Sequence, residues 1–317
     1  MRLATIATGT PAAGTGPASA AAVLSGDDYL VIDGFTDVGE LLATENWEAT
    51  VAEAVANPAA TVPAADAEVL QLITRPGKII CVGLNYRSHI LEMGRDLPAY
   101  PTLFAKFAET LTGPYADVPF APEDPELDWE GELVVVIGRS VRRVDETEAA
   151  AAIAGYTIAN DISMRGWQFR TKEWLQGKMW EDSTPLGPVL TTADDFDPAE
   201  AVLTTTVNGE VMQEHAIGDL VFSPAHLVSY ISTMITLEPG DIILTGTPGG
   251  VGRARDPQVY LSVGDEVTVS IDGIGQIANR IVDASDPGEP AAGRLAAAGN
   301  AVDAGSAVDA GSAVNAG

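Results

Sequence analysis

An α+β fold is predicted, rich in strands and with isolated helices. Three observations predict it. The aliphatics Val134, Val135, Val136 and Ile137 are mostly β-branched, which marks a core strand. The segment "LTTTVNGEVMQE" places Asn208-Gly209 between two strand-like runs, the strongest short-range hairpin signal. Helical patterns occur singly rather than after each strand, which argues against a βαβ repeat.

The elements follow in order along the chain. Residues 1 to 70 alternate short strand-like pieces ("YLVIDGF") with the Ala-rich helical stretch "WEATVAEAVANPAATVPAADAEVL", and are expected to form a small N-terminal domain. Pro76-Gly77 is a turn signal, and "KII" then starts a buried strand. From here to about residue 285 strands dominate, and this stretch is expected to form the main domain. "SPAHLVSYISTMITLEPGD" opens with a Ser-Pro helix start and closes in a Pro-Gly turn. "DIILTGTPGGVG" is a strand running into a glycine-rich loop, and "YLSVGDEVTVSIDGIGQIANRIV" supplies two further strands. In residues 286–317 the unit "GNAVDA", "GSAVDA", "GSAVNA" repeats with almost no large apolar residue, so a disordered tail is predicted.

At 317 residues and 46% hydrophobic, the chain can bury a full core. Its formal charge of −28 repels nucleic acid and anionic membranes, so neither is expected as a partner. Lysine is scarce (Lys78, Lys106, Lys172, Lys178) and aspartate abundant, a balance that resembles proteins of salt-loving organisms. Concentrated salt screens exposed charges within about 3 Å at 1 M, so surface charge says little about chemistry. Cys81, the only cysteine, excludes an intrachain disulfide and reads as a small core residue. The interspersed Gly, Pro and Thr of the N-terminal stretch break any apolar run, so it is read as mature chain. No segment reaches the ~18 to 20 apolar residues of a membrane span, and a cytoplasmic protein is expected.

Four stretches carry candidate chemistry. In "LDWEGELVVVIGRS", Asp128, Glu130 and Glu132 alternate, and alternate positions of a strand share one face. Like charges that close destabilise the fold unless a cation sits between them. With 45 acidic residues, such a triplet also arises by chance about once per chain, so a solvated acidic edge stays open on spacing alone. In "GYTIANDISMRGWQFRTKEWLQGKMW", Asp161 follows the short apolar strand "YTIAN", where a carboxylate can complete a metal site. Arg165 and Gln168 follow at i, i+3, with Lys172 one turn on; an ordinary solvated helix face has the same pattern. In "LNYRSHILEMGRD", His89 and Glu92 are spaced i, i+3 in a short helix that Ser88 can start. A carboxylate beside an imidazole raises its basicity, as a water-activating base requires. A partly exposed loop histidine is the plain alternative; His215 and His226 are read as structural. Finally, "LTGTPGGVG" is neither a Walker loop nor a dinucleotide fingerprint. Its backbone N–H groups and Thr247 can hold a substrate carboxylate, or it is a tight turn.

Together the motifs "KIICVGLNYRSHILEMG", "LDWEGELVVVIGRSV", "GYTIANDIS", "GKMWEDSTPLGPVL", "VNGEVMQ" and "LEPGDIILTGTPGGVG" resemble, in order, the fumarylacetoacetate hydrolase family. The resemblance implies a compact, strand-rich β roll, commonly a homodimer. It implies a divalent cation, Mg²⁺ with Mn²⁺ or Ca²⁺ as alternatives, held by Glu130, Glu132 and Asp161. It implies a His89–Glu92 pair on a mobile lid, Lys178 as a catalytic lysine, and Arg165, Gln168 and Thr247 as substrate-binding residues. Asp128 would orient a ligand or a metal-bound water. One departure is Gly166, where the family often carries Asp; this leaves the orientation of Arg165 open.

The chemistry this implies acts on a small 2-oxo acid. The cation would hold the carboxylate and the 2-oxo oxygen as the latter becomes an enolate. His89, oriented by Glu92, would activate water, and Lys178 would place positive charge near the enolate. Hydrolytic C–C cleavage of an acylpyruvate- or fumarylacetoacetate-like acid is the first expectation. Dehydration of a 2-keto-3-deoxy sugar acid, or isomerisation or decarboxylation of a 2-oxo dioic acid, is the alternative. A metal-binding protein without catalysis is a third, against which the His–Glu pair speaks.

Overall fold

The computed structural model describes residues 1–9, 18–92, 94 and 96–284, so the repeat-bearing tail lies outside the described residues. The fold is α+β and strand-rich. One large sheet runs in the order Thr61–Pro63, Asp28–Val31, Ser19–Ser25, Arg2–Ala7, Thr184–Thr192, Ile153–Asn160, Gly131–Ile137, Ile242–Leu244, Ile79–Gly83, Thr102–Lys106. The N-terminal strands therefore continue the same sheet, through Arg2 and Leu3 paired with Thr191 and Leu190. A second, five-stranded sheet runs Glu210–Ala216, Val202–Val207, Glu266–Ile271, Gly275–Asp283, Val118–Phe120.

Local signals are met closely. Val207 pairs with Glu210 across Asn208-Gly209, whose positive φ values (52° and 80°) suit a two-residue hairpin turn. Ser223 caps the helix Pro224–Met234 by accepting from the His226 N–H, with Pro224 in the first turn. The Ala-rich stretch is helical only over Trp47–Ala56 and stops before Pro58, which cannot continue the ladder.

Strand Gly131–Ile137 is buried along its whole length because both of its faces are covered. Leu133, Val135 and Ile137 enter a core with Leu203, Val269 and Ile271 of the second sheet and Leu227 and Ile231 of the helix Pro224–Met234. Val134 and Val136 enter another core, with Leu41, Trp47 and Val51 of the N-terminal helices Val38–Leu42 and Trp47–Ala56. This explains a continuous apolar run in place of alternation. Gly131 is where the second sheet comes nearest: a Cβ there would lie 2.4 Å from Thr205 Oγ1 and 2.9 Å from Val269 Cγ1. The glycine between the two glutamates thus permits close contact between the sheets.

Candidate active site

The strand pairing gathers three carboxylates. Gly131 pairs with Asn160 and Glu132 with Ala159, which sets Asp161, just past the strand end, beside Glu130. The Asp161 N–H donates to the Glu130 carbonyl at 2.8 Å, and the Asn160 side chain accepts from the Glu130 N–H at 2.9 Å. Carboxylate oxygens of Glu130, Glu132 and Asp161 all lie within 4.8 Å of one another, and all three residues are buried.

Buried cations surround them. Lys178 Nζ donates to Glu130 Oε2 at 2.7 Å and Asp161 Oδ2 at 2.8 Å. Lys106 Nζ donates to Asp161 Oδ1 at 2.5 Å, with both side chains fully buried. Arg165 Nη1 meets Glu130 Oε1 at 2.6 Å and Gln168 Oε1 at 2.8 Å, while its Nε meets Asp128 Oδ2 at 2.7 Å. The ionisation states follow from this packing. Burial would raise the Asp161 carboxyl, but Lys106 and Lys178 overcome it and hold it below its ordinary value. Burial would lower the Lys178 ammonium and the Arg165 guanidinium, yet Asp161 and Glu130 raise the first and Glu130 and Asp128 the second. Burial, then Asp161 and Glu130, push the Glu132 carboxyl well up; the Gly246 N–H at 2.7 Å offsets part of this. Asp128, Glu130 and Asp161 face Lys106, Arg165 and Lys178, and ionisation of Glu132, which burial and its neighbours oppose, adds one negative charge in excess for a cation to meet. An oxygen-only donor set short of positive charge fits a hard divalent cation such as Mg²⁺.

Above the carboxylates lies a cavity of about 430 Å³. Glu130, Glu132, Arg165, Gln168, Lys178, Thr247 and His89 line it, and Phe104, Phe169, Trp174, Val251 and Arg253 add apolar surface and a further cation. Gly83 leaves room for Trp174, whose ring a Cβ there would meet at 2.2 Å.

The order of these residues along the chain can now be set against known proteins. The family model "Fumarylacetoacetate (FAA) hydrolase C-terminal" matches residues 78–282. The chain belongs to the fumarylacetoacetate hydrolase family. A mitochondrial oxaloacetate tautomerase of Bos taurus is 43% identical over 244 residues, covering 75% of this chain and 78% of the relative. A crystal structure of a 5-carboxymethyl-2-hydroxymuconate delta-isomerase from Mycobacterium smegmatis matches with a TM-score of 0.72 and 32% identity, over 89% of this chain and 100% of that one. A fumarylacetoacetate hydrolase from Exiguobacterium antarcticum matches with a TM-score of 0.77 and 28% identity, over 89% and 99%. Family members thus include tautomerases, isomerases and hydrolases acting on small molecules.

Of the residues anticipated from sequence, the structure brings seven to the cavity wall and Asp161 directly behind it. His89 lies in the short helix Arg87–Glu92, where the Glu92 side chain is outside the described residues. Ser88 does not cap this helix itself: its N–H and hydroxyl both donate to Asp219 Oδ2, at 2.8 and 2.6 Å, so the anchor comes from a distant turn. Asp128 does not belong to the strand Gly131–Ile137, which carries Glu132 and has Glu130 just before it. It pairs in a separate two-residue strand with Ser163, and its carboxylate accepts from Arg165 and from the N–H groups of Gly252 (2.7 Å) and Arg253 (3.0 Å). The glycine-rich loop therefore spends three N–H groups on the protein's own carboxylates, Gly246 on Glu132 and the other two on Asp128. Thr247 Oγ1 accepts from Gln213 at 2.8 Å. The helix of Arg165 ends at Gln168, so Lys172 is exposed beyond it.

Gly166 does not leave Arg165 loose, since Asp128, Glu130 and Gln168 hold it from three sides. A Cβ on Gly166 would meet Asp124 Oδ1 at 2.8 Å, and Asp124, itself buried, accepts from the Trp167 N–H at 3.0 Å. A carboxylate from another segment fills the space beside this helix. Lys106 escaped the sequence reading, although a lysine among the apolar residues of "LFAKF" in so lysine-poor a chain is a signal of a buried charge partner.

Proposed function

We propose that this protein is a divalent-cation-dependent enzyme that moves a proton at the carbon next to the carbonyl of a small 2-oxo acid. Oxaloacetate-like diacids, interconverted between keto and enol forms, are the substrate class put first. The observation that carries the reading is the single cavity in which Glu130 and Glu132, Lys178 and His89 share one wall. The tautomerase, isomerase and hydrolase names of the relatives have in common a carbanion or enol beside a 2-oxo group, which supports it.

Glu130, Glu132 and Asp161 would hold the cation, and Mg²⁺ suits their oxygen donors. When bound, it supplies Lewis-acid charge for the substrate's carboxylate and 2-oxo oxygen. Lys178 stays protonated between Asp161 and Glu130 and so serves as fixed positive charge toward an oxygen that gains negative charge, rather than as a base. His89 is the proton acceptor, because it is the one imidazole on the cavity wall and an imidazole nitrogen can take up and return a proton. Arg165, tied down by three partners, fixes the Glu130 carboxylate in place, and Gln168 and Thr247 offer polar contacts. Phe104 and Trp174 add apolar surface to the cavity lining.

Hydrolytic cleavage of an acylpyruvate is the second reading, favoured by the same His89, which can activate water in place of taking a carbon-bound proton. The test is proton exchange at C3 of a panel of 2-oxo acids in D₂O, followed by NMR, beside release of pyruvate from acylpyruvates. Both are run with EDTA and with Mg²⁺, Mn²⁺ or Ca²⁺. Exchange that needs the cation is expected; pyruvate release without exchange on simple 2-oxo acids would favour hydrolysis, and neither activity would refute both.

A further inference from the structure

The cations that contact the carboxylate cluster are committed to it. Arg165 is held by Asp128, Glu130 and Gln168, Lys178 by Glu130 and Asp161, and Lys106 by Asp161. Arg253 lines the same cavity and is differently placed. Its guanidinium lies 4.0 Å over the Phe169 ring, and its Nη1 is 3.5 Å from Glu126 Oε2, in a pair whose two side chains are each 37% exposed. Tyr260 is a further polar neighbour. So long and exposed an ion pair is weak and readily given up for a better partner, while the aromatic face keeps the guanidinium in place.

The turn that carries Arg253 is fixed to the site. The N–H groups of Gly252 and Arg253 donate to Asp128, and the oxygen that accepts from Arg253 also accepts from Arg165 Nε. Arg165 in turn touches Glu130. Two hydrogen bonds and one carboxylate thus separate the Arg253 backbone from the residue that braces the acidic cluster. Val251, Ala254 and Phe169 line the same cavity, an apolar surface that suits methylene groups. With a formal charge of −28 on the chain, an anionic substrate needs local positive charge at the cavity mouth.

We infer that Arg253 is a specificity-determining residue that binds the second, distal carboxylate of a 2-oxo diacid. The inference rests on the proposed 2-oxo acid chemistry and narrows its substrate class. A guanidinium offers the paired donors that a carboxylate matches, and a methyl group in the same place offers it nothing.

The experiment compares 2-oxoglutarate with 2-oxopentanoate, equal in length and differing only in a terminal carboxylate or methyl. Calorimetric affinity and C3 proton exchange are measured with Mg²⁺ for the full chain, Arg253→Met, Arg253→Lys and Glu126→Gln. The unaltered protein is expected to prefer the diacid. Arg253→Met should cut that preference about 10- to 100-fold, the worth of charge-assisted hydrogen bonds, and Arg253→Lys should keep part of it. Glu126→Gln, which frees the guanidinium, should raise the preference by up to about fivefold, the worth of an exposed ion pair. No preference in the unaltered protein, or a loss in Arg253→Met that strikes both acids alike, would overturn the inference and assign the guanidinium a structural role on Phe169. If the diacid binds but neither acid exchanges, the proposed reaction fails and Arg253 is judged on the affinity ratio. If exchange occurs and the ratio is the same in Arg253→Met, the reaction stands and the role of Arg253 falls.

Discussion

Lys106→Met tests how the charge cluster is balanced. The substitution keeps the length of the apolar stem and removes one ammonium from a pair whose members are both fully buried, 2.5 Å apart. Breaking a buried pair by deleting one partner costs about 3–5 kcal/mol, because the remaining charge is left without compensation. Lys178 still reaches the other Asp161 oxygen at 2.8 Å, so the lower end applies, about 3 kcal/mol. At ~2–4 °C per kcal/mol for a domain of this size, the melting temperature without metal should fall by about 6–12 °C. The same change removes one positive charge from the cluster, so a divalent cation should become a better counter-charge. Saturating Mg²⁺ should therefore raise the melting temperature of the variant by more than that of the unaltered protein. The assay is thermal unfolding in EDTA and in Mg²⁺, followed by circular dichroism. A fall of less than about 3 °C in EDTA, half of what the burial argument requires, would refute it.

Three further outcomes follow from the same geometry. Glu130→Gln should weaken Mg²⁺ binding and turnover together, since the amide keeps the shape but loses the ionic contact; wild-type calorimetric affinity would remove Glu130 from the cation site. His89→Ala should lower the rate of C3 exchange by about 10²- to 10⁴-fold with oxalate and Mg²⁺ affinity nearly intact, and a rate within about threefold of wild type would sink its role as base. Burial, then Asp161, push the Cys81 thiol well up, so it stays protonated at pH 8 and should resist a thiol reagent until the chain unfolds; labelling of the native protein at the rate of a free thiol would contradict its core position.

What could be read ahead of the structure depended on how local each cause was. The hairpin at Asn208-Gly209 and the Ser223-Pro224 helix start need only adjacent residues, and both formed as expected. The pair Glu130 and Glu132 was legible because alternate positions of an extended backbone share a face, and Asp161 because it directly follows the partner strand. Asp128 broke the expected line: it belongs to the short pairing with Ser163, and its charge is met by Arg165 and two loop amides. Lys106 could not be placed because its partner is 55 residues away, and the Asp219 anchor of Ser88 is 131 residues away. Lys172 was read as continuing a helical face that ends one turn earlier. Long-range partners of this kind are invisible to periodicity.

The alignment of strand Gly131–Ile137 with Ile153–Asn160 carries a further consequence. A slip of one residue in a strand exchanges its two faces. Here it would turn Glu130 and Glu132 toward Leu203 and Val269 and press Leu133 among the remaining charges. A chain zipped one step out of phase would thus strand ionised groups in hydrocarbon, while the Cβ-less notch at Gly131 would no longer face Thr205. The cost of misalignment falls at once on the carboxylates of the buried cluster. Assembly of the carboxylate cluster and correct threading of the sheet are therefore one event, and the cation binding proposed above would report on both.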